Sequence, residues 1–225
     1  YQAVIGDCAG CHGKDLSGGV ELQTPFGKLL APNITPDKET GIGNYSAEDF
    51  KKAMTKGVAP GGKRLYPAMP YPYYAHLDDA SLTAMWDHLK TVKPVKKSVN
   101  VNQLRFPYNL RIGMLGWNAL FFSPKPIPQD PAKSAAWNRG AYLVNGPAHC
   151  GACHTAKNSF GADRGPALTG ASLQGWFASD LTGDRHAGLG AWSAADIVEY
   201  LGTGRSSRSM ASGPMAEVVE HSTSQ

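Results

Sequence analysis

The sequence of 225 residues lacks several features that would point to common protein classes. It has no run of 18 or more apolar residues, so no segment is predicted to cross a bilayer. It also lacks a phosphate-binding glycine loop, and its basic residues are dispersed apart from a short cluster between Lys93 and Lys97. The formal net charge of +4 and the pI of about 8.8 therefore do not indicate a nucleic-acid partner.

Cysteine is scarce, and all four cysteines fall in one motif that occurs twice. The motif Cys8-Ala9-Gly10-Cys11-His12 recurs far along the chain as Cys150-Gly151-Ala152-Cys153-His154. The pattern C-x-x-C-H is typical of covalent haem attachment, because two thiols on one helical turn can each bond a porphyrin vinyl group while the histidine binds iron. A thioredoxin-like dithiol and a zinc site are the alternatives, but zinc would require a second cysteine pair nearby.

An internal repeat extends beyond the motif. Seven later residues have a partner at one constant offset: Thr35 and Thr182, Gly41 and Gly188, Gly43 and Gly190, Tyr45 and Trp192, Ser46 and Ser193, Ala47 and Ala194, Gly57 and Gly204. This offset is slightly larger than the one between the two motifs, which indicates a loop of different length. The chain is therefore predicted to contain two homologous modules.

Each module is predicted to have a middle helix with matching start and stop signals. Ser46 with Asp49, and Ser193 with Asp196, fit the S-x-x-[DE] capping pattern. The apolar faces that follow are Phe50, Ala53 and Met54 in one copy, and Ile197, Tyr200 and Leu201 in the other. Gly57 and Gly204 stand where helices commonly end. A closing helix from about Asp78 or Asp79 to Lys93 should bury Leu82, Met85, Trp86 and Leu89.

The predicted fold is mainly α, with two tandem class I-type cytochrome c domains at residues 1–93 and 132–225. Residues 94–131 form a proline-rich linker between them. Its apolar middle, Leu104 to Phe122, is expected to be an ordered strap packed across the domains, with contact to a partner or a membrane surface as the alternative. The second domain lacks its closing helix, and we expect the chain to be a piece of a longer protein.

The iron ligands can be proposed from the repeat. His12 and His154 are the expected proximal ligands, and a methionine thioether is the usual sixth ligand of a haem that transfers electrons. Met69 lies in a stiff loop bounded by prolines, at position +12 relative to Gly57. In the second module Met215 is at position +11 relative to Gly204 and Met210 only at +6, so the repeat favours Met215. Ligation by two histidines, with His76 and His221, stays an alternative.

Groups around each haem are also predicted. The backbone carbonyls of Pro25 and Pro166 are the candidates to accept a hydrogen bond from the proximal imidazole, although both prolines could simply shape loops. Tyr45, Trp192 and Asn33 could donate to the haem propionates, or the two aromatic residues could be ordinary core residues.

Five segments resemble the multi-haem cytochrome c subunit of membrane-bound bacterial dehydrogenases: Ala31-Pro32-Asn33-Ile34-Thr35-Pro36-Asp37, Gly41-Ile42-Gly43, Tyr66-Pro67-Ala68-Met69-Pro70-Tyr71, Gly116-Trp117-Asn118 and Gly213-Pro214-Met215-Ala216-Glu217-Val218. The resemblance implies two covalent haem c groups, attached at Cys8, Cys11, Cys150 and Cys153 and ligated by His12, Met69, His154 and Met215. That family typically has three haem modules and a C-terminal membrane-associating segment. Two modules are recognised here, and we expect that the third either lies outside this sequence or is missing from this member.

The resemblance also implies partners. Expected are a catalytic dehydrogenase subunit of the quinoprotein, flavoprotein or molybdenum type, ubiquinone or a terminal oxidase as acceptor, and a membrane surface. No catalytic residue is expected in this chain. Because haem c is attached outside the bacterial cytoplasm, we expect the periplasmic side of the inner membrane and the removal of a leader peptide. The rival functions are a free-standing dihaem shuttle similar to cytochrome c4, and a dihaem enzyme such as a peroxidase or thiosulfate dehydrogenase.

Overall fold

The computed structural model describes residues 1–173 and 175–225, and these fold into two compact units. The N-terminal unit contains Gln2 and Cys11–His149, and the C-terminal unit contains Tyr1, Ala3–Gly10 and Cys150–Gln225. The domain boundaries expected from the sequence, 1–93 and 132–225 with a linker at 94–131, stay a prediction.

Among the described residues, far more lie in helices than in strands, as the sequence predicts for a mainly α protein. The α-helices are α1 (Gln2–Ile5), α2 (Cys8–His12), α3 (Ala47–Lys56), α4 (Tyr71–Tyr74), α5 (Asp79–Thr91), α6 (Gly113–Phe121), α7 (Ala135–Asn145), α8 (Gly151–His154), α9 (Ala194–Thr203) and α10 (Pro214–Val218). A 3₁₀ turn covers Pro60–Gly62, and a π-helical turn covers Val219–Thr223.

The strands are short and pair only with antiparallel neighbours among the described residues. They are β1 (Glu21–Thr24), β2 (Gly27–Leu30), β3 (Val58–Ala59), β4 (Lys63–Arg64), β5 (Asn102–Leu104), β6 (Ala171–Leu173) and β7 (Trp176–Ala178). The largest sheet has the order β1-β2-β5, so a segment beyond α5 returns to the edge of the first hairpin.

The two middle helices confirm the predicted start and stop signals. Ser46 accepts from the backbone N–H of Asp49, and the Asp49 carboxylate accepts from the backbone N–H of Ser46, which completes a capping box at α3. Ser193 and Asp196 form the same box at α9. Both helices end at a glycine in the left-handed region, with φ of 62° at Gly57 and 76° at Gly204.

The core of the N-terminal unit lies between α3, α4 and α5. The four residues predicted for the closing helix, Leu82, Met85, Trp86 and Leu89, are all buried. The ring of Trp86 stacks on Phe50 of α3 at 5.4 Å between centroids. Asp78 is the N-cap of α5. In the C-terminal unit the predicted face of α9 is only half-buried.

Residues 94–122 are ordered and pack against the rest of the N-terminal unit. Strand β5 pairs with β2, with Lys28 opposite Gln103. Trp117 of α6 is buried, and the hydroxyl of Tyr71, itself fully buried, donates to Asn118 Oδ1 at 2.5 Å. This segment is thus ordered within the N-terminal unit, and the predicted strap across both domains stays a prediction. Among the described residues, no helix has the length and apolar character needed to traverse a bilayer.

Candidate haem-binding sites

The two cysteine motifs form short helices that begin in the same way. Helix α2 carries Cys8 and Cys11 on one turn, followed by His12, and Cys150 is the N-cap of α8, which carries Cys153 and His154. The residue before each first cysteine has a left-handed backbone, with φ of 48° at Asp7 and 40° at His149. Asp and His tolerate this region better than most side chains. The same sharp turn therefore precedes the first cysteine of both motifs.

The four cysteines are thiols rather than disulfides, and the environment of the second pair argues against a dithiol redox centre there. Burial raises the pKa of Cys150 to about 11 and also raises the pKa of Cys153. Catalytic dithiols need a lowered thiol pKa, because the thiolate is the nucleophile. Among residues 1–173 and 175–225, no group of three or more His, Cys, Asp and Glu side chains is placed to hold a metal ion, as a structural zinc site would require.

Both histidines are held by a backbone carbonyl. His12 Nδ1 lies 2.7 Å from the carbonyl oxygen of Pro32, and His154 Nδ1 lies 2.6 Å from that of Ser179. A carbonyl can only accept, so Nδ1 carries the hydrogen and Nε2 keeps its lone pair for iron. Burial lowers the pKa of His12, which favours the neutral imidazole that a metal needs.

The predicted acceptors, Pro25 and Pro166, are therefore wrong. Pro25 lies in the tight turn between β1 and β2, while the Pro166 carbonyl accepts from Thr169 Oγ1 at 3.0 Å. The repeat contained the correct signal, because Pro32 and Ser179 are separated by the same offset as the other paired residues of the two modules. A search for a shared residue type misses this pair, since only the main chain acts.

The predicted methionines occupy different local structures. Met69 is half-buried in its proline-bounded loop, where its N–H donates to the Tyr66 carbonyl at 3.0 Å. Met215 is half-buried in the first turn of α10. Met210 is 69% exposed and forms a β-bridge with Arg205, so its position is less suited to an iron ligand. The choice of Met69 and Met215 stays a prediction.

His76 and His221, the candidate ligands if iron is bound by two histidines, both have buried ring nitrogens. Nδ1 of His76, and both ring nitrogens of His221, are buried without a hydrogen-bond partner. His221 Nε2 lies 3.7 Å from Glu220 Oε1, beyond hydrogen-bond distance. Burial lowers the pKa of His76, although a hydrogen bond with the Lys125 backbone opposes this. Ligation by two histidines therefore stays the competing hypothesis.

The proposed propionate donor Asn33 is a structural residue instead. Asn33 Oδ1 accepts from the N–H of Thr35 at 2.9 Å and from its hydroxyl at 2.8 Å. Its amide nitrogen donates to the Val95 carbonyl at 2.7 Å and to Thr40 Oγ1 at 3.0 Å. Both amide hydrogens are thus used within the protein, and the buried side chain ties its loop to the segment after α5.

Tyr45 and Trp192 are both half-buried. Tyr45 borders a cavity of about 120 Å³, and burial raises its pKa. That cavity is lined also by Pro36, Ile42, Trp86, Leu89 and Lys90. Trp192 packs edge-on against Tyr200 of α9, with the ring centroids 5.7 Å apart. Packing accounts for both aromatic residues, and their contact with haem propionates stays a prediction.

Each motif offers two thiols on one turn and an imidazole with its Nε2 available, and a half-buried thioether occurs in each half of the chain. These donors fit haem c, which needs two thioether bonds and two axial ligands. The carbonyl at Nδ1 determines the tautomer of both imidazoles, which leaves each Nε2 available as a ligand.

Comparison with known proteins supports this assignment. Residues 2–93 match the cytochrome c family model. The chain is 44% identical over 224 residues to a nicotinate dehydrogenase subunit of Pseudomonas putida, covering 96% of this chain and 19% of that protein. It is 41% identical over 230 residues to the fructose dehydrogenase cytochrome subunit of Gluconobacter japonicus, covering 99% of this chain and 47% of that protein.

The chain thus spans about half the length of the fructose dehydrogenase cytochrome subunit and a smaller part of the nicotinate dehydrogenase protein. A dihaem cytochrome c-type protein of Cereibacter sphaeroides is 34% identical over 239 residues, and the match covers 97% of this chain and 76% of that protein. With both attachment helices present, the chain belongs to the cytochrome c family, its two motifs fit two covalently bound haem c groups, and cytochrome subunits of bacterial dehydrogenases are among its relatives.

Proposed function

We propose that the chain accepts electrons singly from a catalytic dehydrogenase subunit and delivers them towards membrane ubiquinone or a terminal oxidase. The observation that carries this proposal is the pair of motif helices whose histidines are both fixed by a backbone carbonyl. The relatives named for a dehydrogenase support the partner, because this chain matches them over nearly its whole length. The haem iron supplies the reversible uptake of one electron.

In this proposal the residues of the chain hold the haems and set their reduction potentials, and none carries out bond-making catalysis. Cys8, Cys11, Cys150 and Cys153 tether the haems, and the carbonyls of Pro32 and Ser179 orient the proximal imidazoles. Met69 and Met215 would complete the coordination with soft sulfur, which favours ferrous iron and raises the potential. A stiff loop between Pro67 and Pro70 would keep the Met69 ligand in place through each redox change.

The same proposal includes the finer architecture and the location. The two repeats would form tandem class I-type cytochrome c domains joined by the proline-rich segment 94–131. The protein would act on the periplasmic side of the bacterial inner membrane, where haem c is attached and where a quinone can be reached. The supporting observations are the doubled motif, the matching capping boxes and the relatives named above.

Reduction by a copurified partner tests the proposal. The native protein is isolated under mild detergent, its partners are identified, and the substrate of the copurified dehydrogenase is added without oxygen. We expect both haems to become reduced, as measured from the ferrous haem c absorption. A His154→Ala variant is the matched comparison, because its first haem should still accept electrons. A protein that purifies alone and is not reduced by any added dehydrogenase of the three classes contradicts the proposal.

A free-standing dihaem shuttle is the second candidate function. It is favoured by the dihaem relative, of which this chain covers a larger share than of the other two relatives named above. A shuttle would run as a single species in native gels and would exchange electrons with several unrelated donors. Copurification with one dehydrogenase at fixed stoichiometry contradicts this candidate. Tight cyanide binding by one ferric haem would instead favour the dihaem enzyme.

A further inference from the structure

The strap of the N-terminal unit has an outward face that is apolar where a surface helix is ordinarily polar. Trp117 and Asn118 of α6 face the protein, where Trp117 is buried and Asn118 accepts from Tyr71. The same strap exposes five large side chains, here called the apolar shelf: Phe106 at 77%, Leu110 at 48%, Ile112 at 69%, Leu115 at 44% and Leu120 at 76% exposure. Scattered exposed apolar residues are ordinary, but five within so short a segment are not.

Helical geometry accounts for the two faces. Ile112 lies just before α6, and positions 115, 119 and 120 fall within about 80° of it when each residue turns by about 100°. Trp117 lies about 140° away from Ile112 on the same wheel. The buried tryptophan therefore fixes the orientation of α6, and Ile112, Leu115 and Leu120 are exposed as a consequence.

The charged residues of the shelf segment and its flanks have one sign. No Asp or Glu occurs from residue 98 to residue 129, whereas this stretch contains three basic residues, Arg105, Arg111 and Lys125. Arg105 precedes the shelf in the sequence and Lys125 follows it, and both residues are exposed. Arg111 is fixed at the edge, where its Nη1 donates to the Arg64 carbonyl at 2.6 Å and its guanidinium lies 4.7 Å over the Tyr66 ring.

We propose that the apolar shelf, with its basic surroundings, is the face through which this protein lies on an anionic phospholipid bilayer. An interfacial element inserts aliphatic and aromatic side chains to the level of the acyl boundary, while flanking Lys and Arg attract acidic headgroups. Helix α6 has nine residues, too few to span a bilayer, so it would lie in the interface. This inference rests on the proposed function, which requires access to a membrane acceptor.

Vesicle sedimentation tests the shelf directly. The haem-loaded protein is mixed with phosphatidylcholine vesicles, with or without phosphatidylglycerol, and the pelleted fraction is read from haem absorption. We expect binding to the anionic vesicles that weakens with salt. Ile112→Glu and Leu120→Glu should each lower the partition constant about tenfold or more, because a buried aliphatic side chain is replaced by a charge. Arg105→Gln should lower it about fivefold on anionic vesicles only.

Val198→Glu is the matched control. Val198 is 71% exposed on α9, outside the shelf, so its substitution adds the same charge without touching the proposed face. The inference is overturned if the wild-type protein does not bind anionic vesicles, or if Ile112→Glu and Leu120→Glu bind as well as Val198→Glu does. It is also overturned if the shelf variants lose only the copurified dehydrogenase, since the shelf would then be a protein interface.

The proposed function and the proposed membrane face are tested by independent experiments, so either can fail alone. Sedimentation uses no dehydrogenase, and reduction of the haems by the dehydrogenase is measured in detergent without vesicles. Shelf variants should keep the wild-type haem spectrum and full reduction by the partner, but they should no longer bind anionic vesicles. If the haems are not reduced but the vesicles are bound through the shelf, the proposed function is refuted and the membrane face stands.

Discussion

The equivalent glycines Gly57 and Gly204 allow the cost of backbone strain to be separated from the cost of a steric contact at one structural position. Both end a middle helix with a positive φ, which disfavours any residue with a Cβ. A Cβ at Gly57 would lie 2.7 Å from the ring of Tyr71, which is fully buried. A Cβ at Gly204 would meet Val219 only at 3.6 Å, an ordinary contact.

Gly57→Ala should therefore cost more than Gly204→Ala. The left-handed backbone costs about 1 kcal/mol at both positions. Displacing the packed Tyr71 ring adds about 1–3 kcal/mol at Gly57 only. Because Tyr71 N–H donates to the Met69 carbonyl at 2.6 Å, the displacement should also disturb the Met69 loop. We expect the methionine-to-iron charge-transfer band of one haem to weaken in Gly57→Ala.

The assay is guanidinium unfolding followed by far-ultraviolet circular dichroism, with the near-infrared charge-transfer band as a local probe of methionine ligation. Gly204→Ala is the matched control for backbone strain. Equal losses of unfolding free energy in the two variants, with the band intact in both, would refute the reasoning that ring contact at Gly57 matters.

Three further predictions concern ligands, caps and pH. Met69→Leu and Met215→Leu should each remove about half of the charge-transfer band, whereas Met210→Leu should leave it unchanged; a band that survives both substitutions would point to histidine ligation. Ser46→Ala should lower the unfolding free energy by about 1 kcal/mol, measured by denaturant titration, since it removes one half of a capping box. Burial raises the pKa of Asp7 from 3.8 to about 6, so the folded state keeps a proton that the unfolded chain has released. The free energy of unfolding should thus fall as pH rises from about 4 to about 6, and Asp7→Asn should flatten this slope.

Local signals in the sequence predicted the parts of the fold that depend on a few neighbouring residues. The capping boxes at Ser46 and Ser193 and the terminal glycines are confirmed because each requires particular side chains within one turn. The buried face of α5 is confirmed for the same reason, since helical periodicity alone determines it. The attachment motif is equally local, and it was readable because the chemistry of thioether formation dictates its spacing.

Features that depend on the path of the chain were not predictable in this way. Strand β5 pairs with β2 although α3, α4 and α5 lie between them in the chain, and such short strands carry little pattern of their own. Asn33 is a comparable case, because its amide donates to the carbonyl of Val95, which is 62 residues further along the chain. Residue type alone favours a haem contact for a polar residue near a haem motif, whereas the fold uses Asn33 to hold a distant segment.

The errors at Pro25 and Pro166 have a more general cause, which the repeat makes visible. Pro32 and Ser179 differ in every side-chain property, yet their carbonyls hold the two imidazoles at nearly the same distance. Asp7 and His149 likewise differ in chemistry but share a left-handed backbone before the first cysteine. What the two modules have in common at these positions is the course of the main chain, and a carbonyl is available at every residue. Position within the repeat is therefore the better guide to groups that act through the backbone, and residue type is the better guide to groups that act through the side chain.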